Sequence, residues 1–232
     1  MLENTLIKSK YIFIYAAMVW LAYFAVYLED QGFTGSQIGI LYGVYQTTLF
    51  FFFIFWFFFF YCFGVRRIFL LVTSVGACLL YFLPHITGFY VLIVYVFLTS
   101  VFVQPGPPLL EGISLHYSIA RQKGTFGSYR MFGAVGWGIA APLLGKLIDN
   151  NSSGIIFPYA TTLILFVSLM AFVLLKLDKQ LISGSRIKIR GIGHFFHGPF
   201  LFFLIIILLF GFCMAPISHV ISMYYREIGA SN

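Results

Sequence analysis

The sequence predicts an all-α integral membrane bundle, and three observations predict it. Of the 232 residues, 61% are hydrophobic and 9% are charged, with a mean hydropathy of +0.96; that leaves too little polar surface to cover a water-soluble globule. The apolar residues fall in runs near or above the ~20 residues a helix needs to cross a bilayer. The formal net charge of +7 is spread over short segments between those runs. A nucleic-acid surface gathers its Lys and Arg on one folded face, so this pattern reads as membrane topology and no nucleic-acid partner is expected.

Seven helices are expected, over residues 11–28, 38–63, 68–82, 89–116, 127–148, 155–177 and 200–224. The first run ends in Glu29-Asp30 without a small-residue cleavage pattern, so it should target the chain and stay attached. The second carries the polar stretch Gln46, Thr47 and Thr48, with Gln46 a candidate lining residue of a cavity. It continues into an almost all-Phe segment, 49–60, read as a slab facing lipid or a neighbouring helix. The third follows Arg66 and Arg67. The fourth is interrupted by Pro105, Pro107 and Pro108. Proline lacks the N–H and clashes with the preceding turn, so this helix should kink near its centre, with Glu111 just beyond the kink. The fifth and sixth are regular, and the seventh follows the longest polar stretch of the chain.

Charge bias sets orientation. Eleven of the 14 Lys and Arg residues, Lys8, Lys10, Arg66, Arg67, Arg121, Lys123, Lys176, Lys179, Arg186, Lys188 and Arg190, lie on one side of the predicted bundle. The opposite loops carry Glu29, Asp30, Asp149 and Glu227. By the positive-inside rule the chain is a multi-pass protein of the cell membrane with a cytoplasmic N-terminus, the reverse of a seven-helix receptor. Residues 1–177 then form a six-helix bundle, 178–198 a cytoplasmic linker, and 199–232 the first helix of a second half. An internal echo supports that division: Tyr27-Leu-Glu-Asp30-Gln-Gly32-Phe-Thr34 after the first helix and Tyr224-Tyr-Arg-Glu227-Ile-Gly229-Ala-Ser231 after the seventh. A duplicated six-helix unit restarting here implies five further helices, twelve in all.

Ionisable residues inside a bilayer cost several kcal/mol unless they pair or face a wet cavity. Glu111 and Arg130 lie in the fourth and fifth helices at similar depth, on the order of 10 Å from the same face, and each can partner the other. Arg130, Ala134, Trp137 and Ala141 fall at i, i+4, i+7 and i+11, one stripe of the fifth helix. Arg130 and Trp137 should therefore look the same way, with an indole face for a ring and a guanidinium and carboxylate for its polar groups. A second stripe, Gly133, Gly136 and Ala140, should pack closely on a neighbour. Cys62, Cys78 and Cys213 lack framework spacing and read as core or lipid-facing residues. His194 and His197 stand three apart without Cys or acidic companions, so neither a metal nor a cofactor is expected. His219 is a weak candidate for proton transfer.

The segments Pro108-x-x-Glu111 and Phe126-Gly-Ser-Tyr-Arg130-Met-Phe-Gly-x-Val-Gly-Trp137 resemble the fourth and fifth helices of the major facilitator superfamily, in its proton-coupled branch of lactose permease-like, nucleoside and phenylpropionate symporters. Gln37-Ile-Gly39 and Gly64-Val-Arg-Arg67 add weaker likeness. The resemblance covers the N-terminal half and the start of the second. It implies that Glu111 and Arg130 contact sugar hydroxyls and that Trp137 stacks on a galactosyl ring. The superfamily's loop signature survives only in part, because Phe57 and Tyr61 stand where glycine and aspartate are usual, and the branch's proton-coupling residues belong to helices eight to ten.

The expected function is secondary active transport, proton-coupled symport of a sugar or similar ringed polar solute by alternating access, with substrate-binding residues Glu111, Arg130, Trp137 and Gln46. Nucleoside or aromatic-acid uptake is the alternative within the fold, and a seven-helix receptor or sensor the alternative outside it. No Ser/Lys dyad, paired intramembrane Asp or His-rich box points to an enzyme. Substrate, protons and the lipid bilayer are the expected partners, together with the C-terminal half.

Overall fold

A computed structural model describes residues 2–121, 126–174 and 198–229. Every regular element among them is helical: α1 (Leu2–Met18), α2 (Trp20–Asp30), α3 (Gly35–Phe63), α4 (Val65–Phe82), α5 (Phe89–Val103), α6 (Gly106–Arg121), α7 (Phe126–Asn150), α8 (Ile156–Leu174) and α9 (Gly198–Glu227). Two pairs, α1–α2 and α5–α6, are single crossings broken in the middle. Five segments are long and apolar enough to cross a membrane: Thr5–Asp30, Arg67–His85, Phe89–Leu115, Phe126–Asn150 and Ser153–Phe172. At 29 and 30 residues, α3 and α9 also exceed the ~20 residues needed. The seven crossings match the sequence expectation. The loop after Arg121 and nearly all of the 178–198 linker lie outside the described residues, as do His194, His197 and the side chain of His219.

The break between α5 and α6 follows from the three prolines. Pro105 has no N–H to give to the carbonyl four residues back, Val101, and the indole of Trp56 supplies the missing donor at 2.7 Å. The buried Gln104 side chain donates to the carbonyl of Tyr45 on α3. Pro107 and Pro108 then occupy the first turn of α6, where no backbone donor is required. Trp56 therefore replaces a bond that proline removes. Trp56→Phe keeps an aromatic ring, though a smaller one, and deletes the donor; it should cost at least about 1 kcal/mol, read as a lower midpoint of thermal unfolding in detergent with the helix content unchanged.

The first crossing is one helical span, Thr5–Asp30, as expected, interrupted only at Val19, whose backbone stays in the right-handed helical region (φ −58°, ψ −24°). No proline or glycine marks the interruption. The Val19 N–H reaches the Ala16 carbonyl at 3.4 Å, a three-residue step. One turn later the Tyr42 hydroxyl accepts from the Ala25 N–H at 3.1 Å and donates to the Leu21 carbonyl at 2.7 Å. Those are the two groups that a regular α-helix bonds to each other, so a side chain from α3 has entered the ladder.

The core lies where these crossings meet. Trp20, Phe24 and Phe157 are fully buried, and the Tyr27 and Phe157 rings meet edge-on at 4.7 Å. α4 is held to α8 by the Ser74–Ser168 hydroxyl pair at 3.2 Å and by Thr161 donating to the Ala77 carbonyl. The Phe-rich stretch of α3 divides as a lipid-facing slab should: Phe50, Phe51, Phe55 and Phe58 are exposed while Trp56 turns inward. Cys62, Cys78 and Cys213 are exposed thiols.

α9 packs on α2 and presents an exposed apolar surface from Leu201 to Phe210. The glycines of the internal echo share a conformation: Gly32 has φ +83° and Gly229 φ +80°, the left-handed region in which a helix end turns away and a side chain is disfavoured.

Candidate functional site

Glu111 stands in the second turn of α6, because the proline break restarts the helix at Gly106. Arg130 stands in the second turn of α7. The two helices run in opposite directions as neighbours, which brings Arg130 Nε to 3.6 Å from Glu111 Oε1. This is an ion pair at a separation too long for a hydrogen bond. The Glu111 side chain is 28% exposed and the Arg130 side chain 64% exposed, so the pair is open to an approaching ligand on the arginine side.

Two residues of α1 complete the arrangement. The Tyr15 hydroxyl donates to the same Glu111 Oε1 at 2.8 Å. Its ring is stacked on Tyr11, with centroids 6.0 Å apart and planes within 10°. The Tyr11 and Ser114 hydroxyls are 2.6 Å apart, and Ser114 donates to the Glu111 carbonyl at 2.9 Å. With the Ser114 proton so used, Tyr11 is the donor to Ser114. The tyrosines therefore grip α6 at Glu111 twice, once through its side chain and once through its backbone. Sequence reasoning missed Tyr11, Tyr15 and Ser114. Their signal was present: tyrosines at i and i+4 put two hydroxyls on one face of an apolar helix.

α7 separates its two stripes as the spacing requires. Gly133, Gly136 and Ala140 are buried. A Cβ on Gly133 would come within 2.8 Å of the Tyr15 ring, and one on Gly136 would collide with the backbone of Ile12, 2.8 Å from its Cα. The absence of side chains there is what lets α1 lie against α7. On the other face Arg130, Ala134 and Trp137 are exposed and Ala141 is half-buried, with Trp137 37% exposed. An indole face and a guanidinium thus look out from one surface, seven residues or ~10 Å apart along the axis.

Gln46 is exposed on α3, which packs on α2, α4 and α5. The geometry that joins Glu111, Arg130 and Tyr15 does not include it. A cavity of about 560 Å³ lies at the other end of the bundle, lined by Tyr27, Asp30, Asp149 and Ser152 among others. Asp149 is 19 residues along α7 from Arg130, ~28 Å by helical rise, so this cavity is separate from the pair. Among the described residues, no group of His, Cys, Asp or Glu is placed to hold a metal ion.

The chemistry open to the site is polar recognition beside an aromatic face. Glu111 Oε2 and the terminal nitrogens of Arg130 carry no hydrogen bond among the described residues. A hydroxyl can donate to the first and accept from the second, while an apolar ring face covers Trp137.

Comparison with known proteins gives no match among curated proteins or solved structures. The family model described as "MFS_1 like family" matches residues 5–232, nearly the whole chain. With seven helical crossings, the charged pair between α6 and α7 and this match in hand, the chain belongs to the MFS_1-like family of the major facilitator superfamily, a family of membrane transporters.

Proposed function

We propose that the chain is the N-terminal half and seventh helix of a proton-coupled symporter for a sugar or similar ringed polar solute. The observation that carries this reading is the open face of α7. Arg130, paired with Glu111, and Trp137 share it, and both the free carboxylate oxygen and the guanidinium fork point to hydroxyl recognition. The second half that α9 begins closes this face, and rocking of the halves exposes it alternately to the two sides of the membrane. The N-terminus and the linker are cytoplasmic, in the cell membrane, on the charge bias given above. Proton coupling rests on the family branch that the α6–α7 motif resembles. Gln46, exposed on α3 apart from the pair, is a further proposed lining residue of the pathway.

The test is saturable uptake by the intact transporter in liposomes, with methyl β-D-galactopyranoside, uridine and 3-phenylpropionate as probes. The galactoside should be carried, and an imposed proton gradient should drive its accumulation. Trp137→Tyr keeps a ring face and should leave galactoside uptake measurable, whereas Trp137→Ala should weaken it by about tenfold, the worth of a stacked aromatic face. Uptake of uridine or phenylpropionate alone would transfer the site to that substrate class. Uptake indifferent to both Trp137 changes would remove stacking from the mechanism.

A further inference from the structure

We propose that Tyr15 is a positioning residue for the Glu111–Arg130 pair, holding one carboxylate oxygen so that the other is presented to substrate. The proposal rests on the functional reading above and adds to it a residue from a third helix. Its basis is geometric. Oε1 of Glu111 takes both described contacts, the Tyr15 hydroxyl at 2.8 Å and Arg130 Nε at 3.6 Å, while Oε2 takes none. A carboxylate with no hydrogen-bond donor is free to rotate about its last torsion, which is broad and roughly two-fold. Tyr15, held on α1, supplies the donor and removes that freedom before substrate arrives, so binding bears less of the ordering cost.

Tyr15 itself is fixed on three sides. Its ring stacks on Tyr11, which is anchored through Ser114 to the Glu111 backbone. Its other edge lies on Gly133, where any Cβ would stand 2.8 Å from the ring. One tyrosine therefore sets the mutual register of α1, α6 and α7 at the point where they meet the pair. The same position makes it sensitive to movement. If α1 slides or tilts relative to α6, the hydroxyl leaves Oε1 and Glu111 turns, so the pair's hold on substrate is tied to the placement of the first helix.

Tyr15→Phe keeps the ring, its stacking and its seat on Gly133, and removes only the donor. In uptake measured with whichever of the three probes the intact transporter carries, Tyr15→Phe should raise KM about tenfold and leave the maximal rate and the thermal midpoint near wild type. Glu111→Asp shortens the side chain and withdraws the carboxylate from Tyr15, so in that background Tyr15→Phe should raise KM by less than about twofold. A wild-type KM in Tyr15→Phe, or a full tenfold increase repeated in the Glu111→Asp background, would overturn the proposal. If Glu111→Gln and Arg130→Lys leave uptake untouched, the site reading itself has failed; if they abolish uptake while Tyr15→Phe is silent, only the positioning role is lost.

Discussion

Glu111→Gln and Arg130→Lys, each made alone in the intact transporter, are expected to abolish saturable uptake while leaving insertion and helix content near normal. The glutamine amide keeps an acceptor but loses the charge that Arg130 Nε and the Tyr15 hydroxyl address. Lysine keeps the charge but is a point charge on a flexible stem, so it loses the fixed planar geometry with which the guanidinium addresses Oε1 and a ligand hydroxyl together. Each change removes a charge-assisted hydrogen bond that a ligand hydroxyl would make with this open pair, about 1.5–3 kcal/mol, roughly 10- to 150-fold in affinity. A structural ion pair would behave differently. Removing both partners avoids a lone buried charge, so Glu111→Ala with Arg130→Ala would restore transport if the pair only held helices together. Transport that survives the double change would overturn the ligand-binding role; transport lost in all three variants is the expected result.

Gly136→Ala is expected to be at least as damaging, for a reason that has nothing to do with substrate. The added methyl would lie against the Ile12 backbone, which cannot swing aside as a side chain can. α1 must then move off α7 by an ångström or more, and the aromatic interior around Trp20 and Phe157 shifts with it. Overpacking of this kind costs about 1–3 kcal/mol where the surroundings relax, and more where backbone meets backbone. The thermal midpoint should fall steeply, and the detergent-extracted protein should lose its monodisperse peak. Gly138→Ala is the control, because a Cβ there meets nothing within 4 Å. Equal stability of the two variants would show that α1 and α7 do not pack as described.

The crossings and the pair were legible in the sequence because both rest on strong, local chemistry. Apolar runs of bilayer length leave few alternatives, and the cost of an intramembrane charge singles out Glu111 and Arg130 before any coordinates are known. The stripes of α7 were legible for the same reason, since a period of 3.6 residues separates Gly133 and Gly136 from Arg130 and Trp137 without knowledge of the neighbour. The one-residue interruption at Val19 was not legible, because no proline or glycine marks it. Nor was the Tyr42 clasp inside α2, where the hydroxyl meets the Ala25 amide 17 residues away in sequence. Tyr15 escaped notice because a tyrosine in a membrane helix is commonplace until the carboxylate it meets, 96 residues on, is placed beside it. Trp56 looked like one more ring in a run of phenylalanines; its role comes from a carbonyl orphaned by a proline on another helix.

The Tyr42 hydroxyl ties α3 to the backbone of the first crossing inside α2, at Leu21 and Ala25. On the N-terminal side of that clasp, α1 carries the tyrosines that grip Glu111 and the face that rests on α7; on the C-terminal side, α2 carries the contact with α9. The crossing is helical throughout, because even Val19 keeps a helical backbone. A rod of that kind passes a tilt at one end straight to the other, so the neighbour of α9 and the holder of the carboxylate move as one.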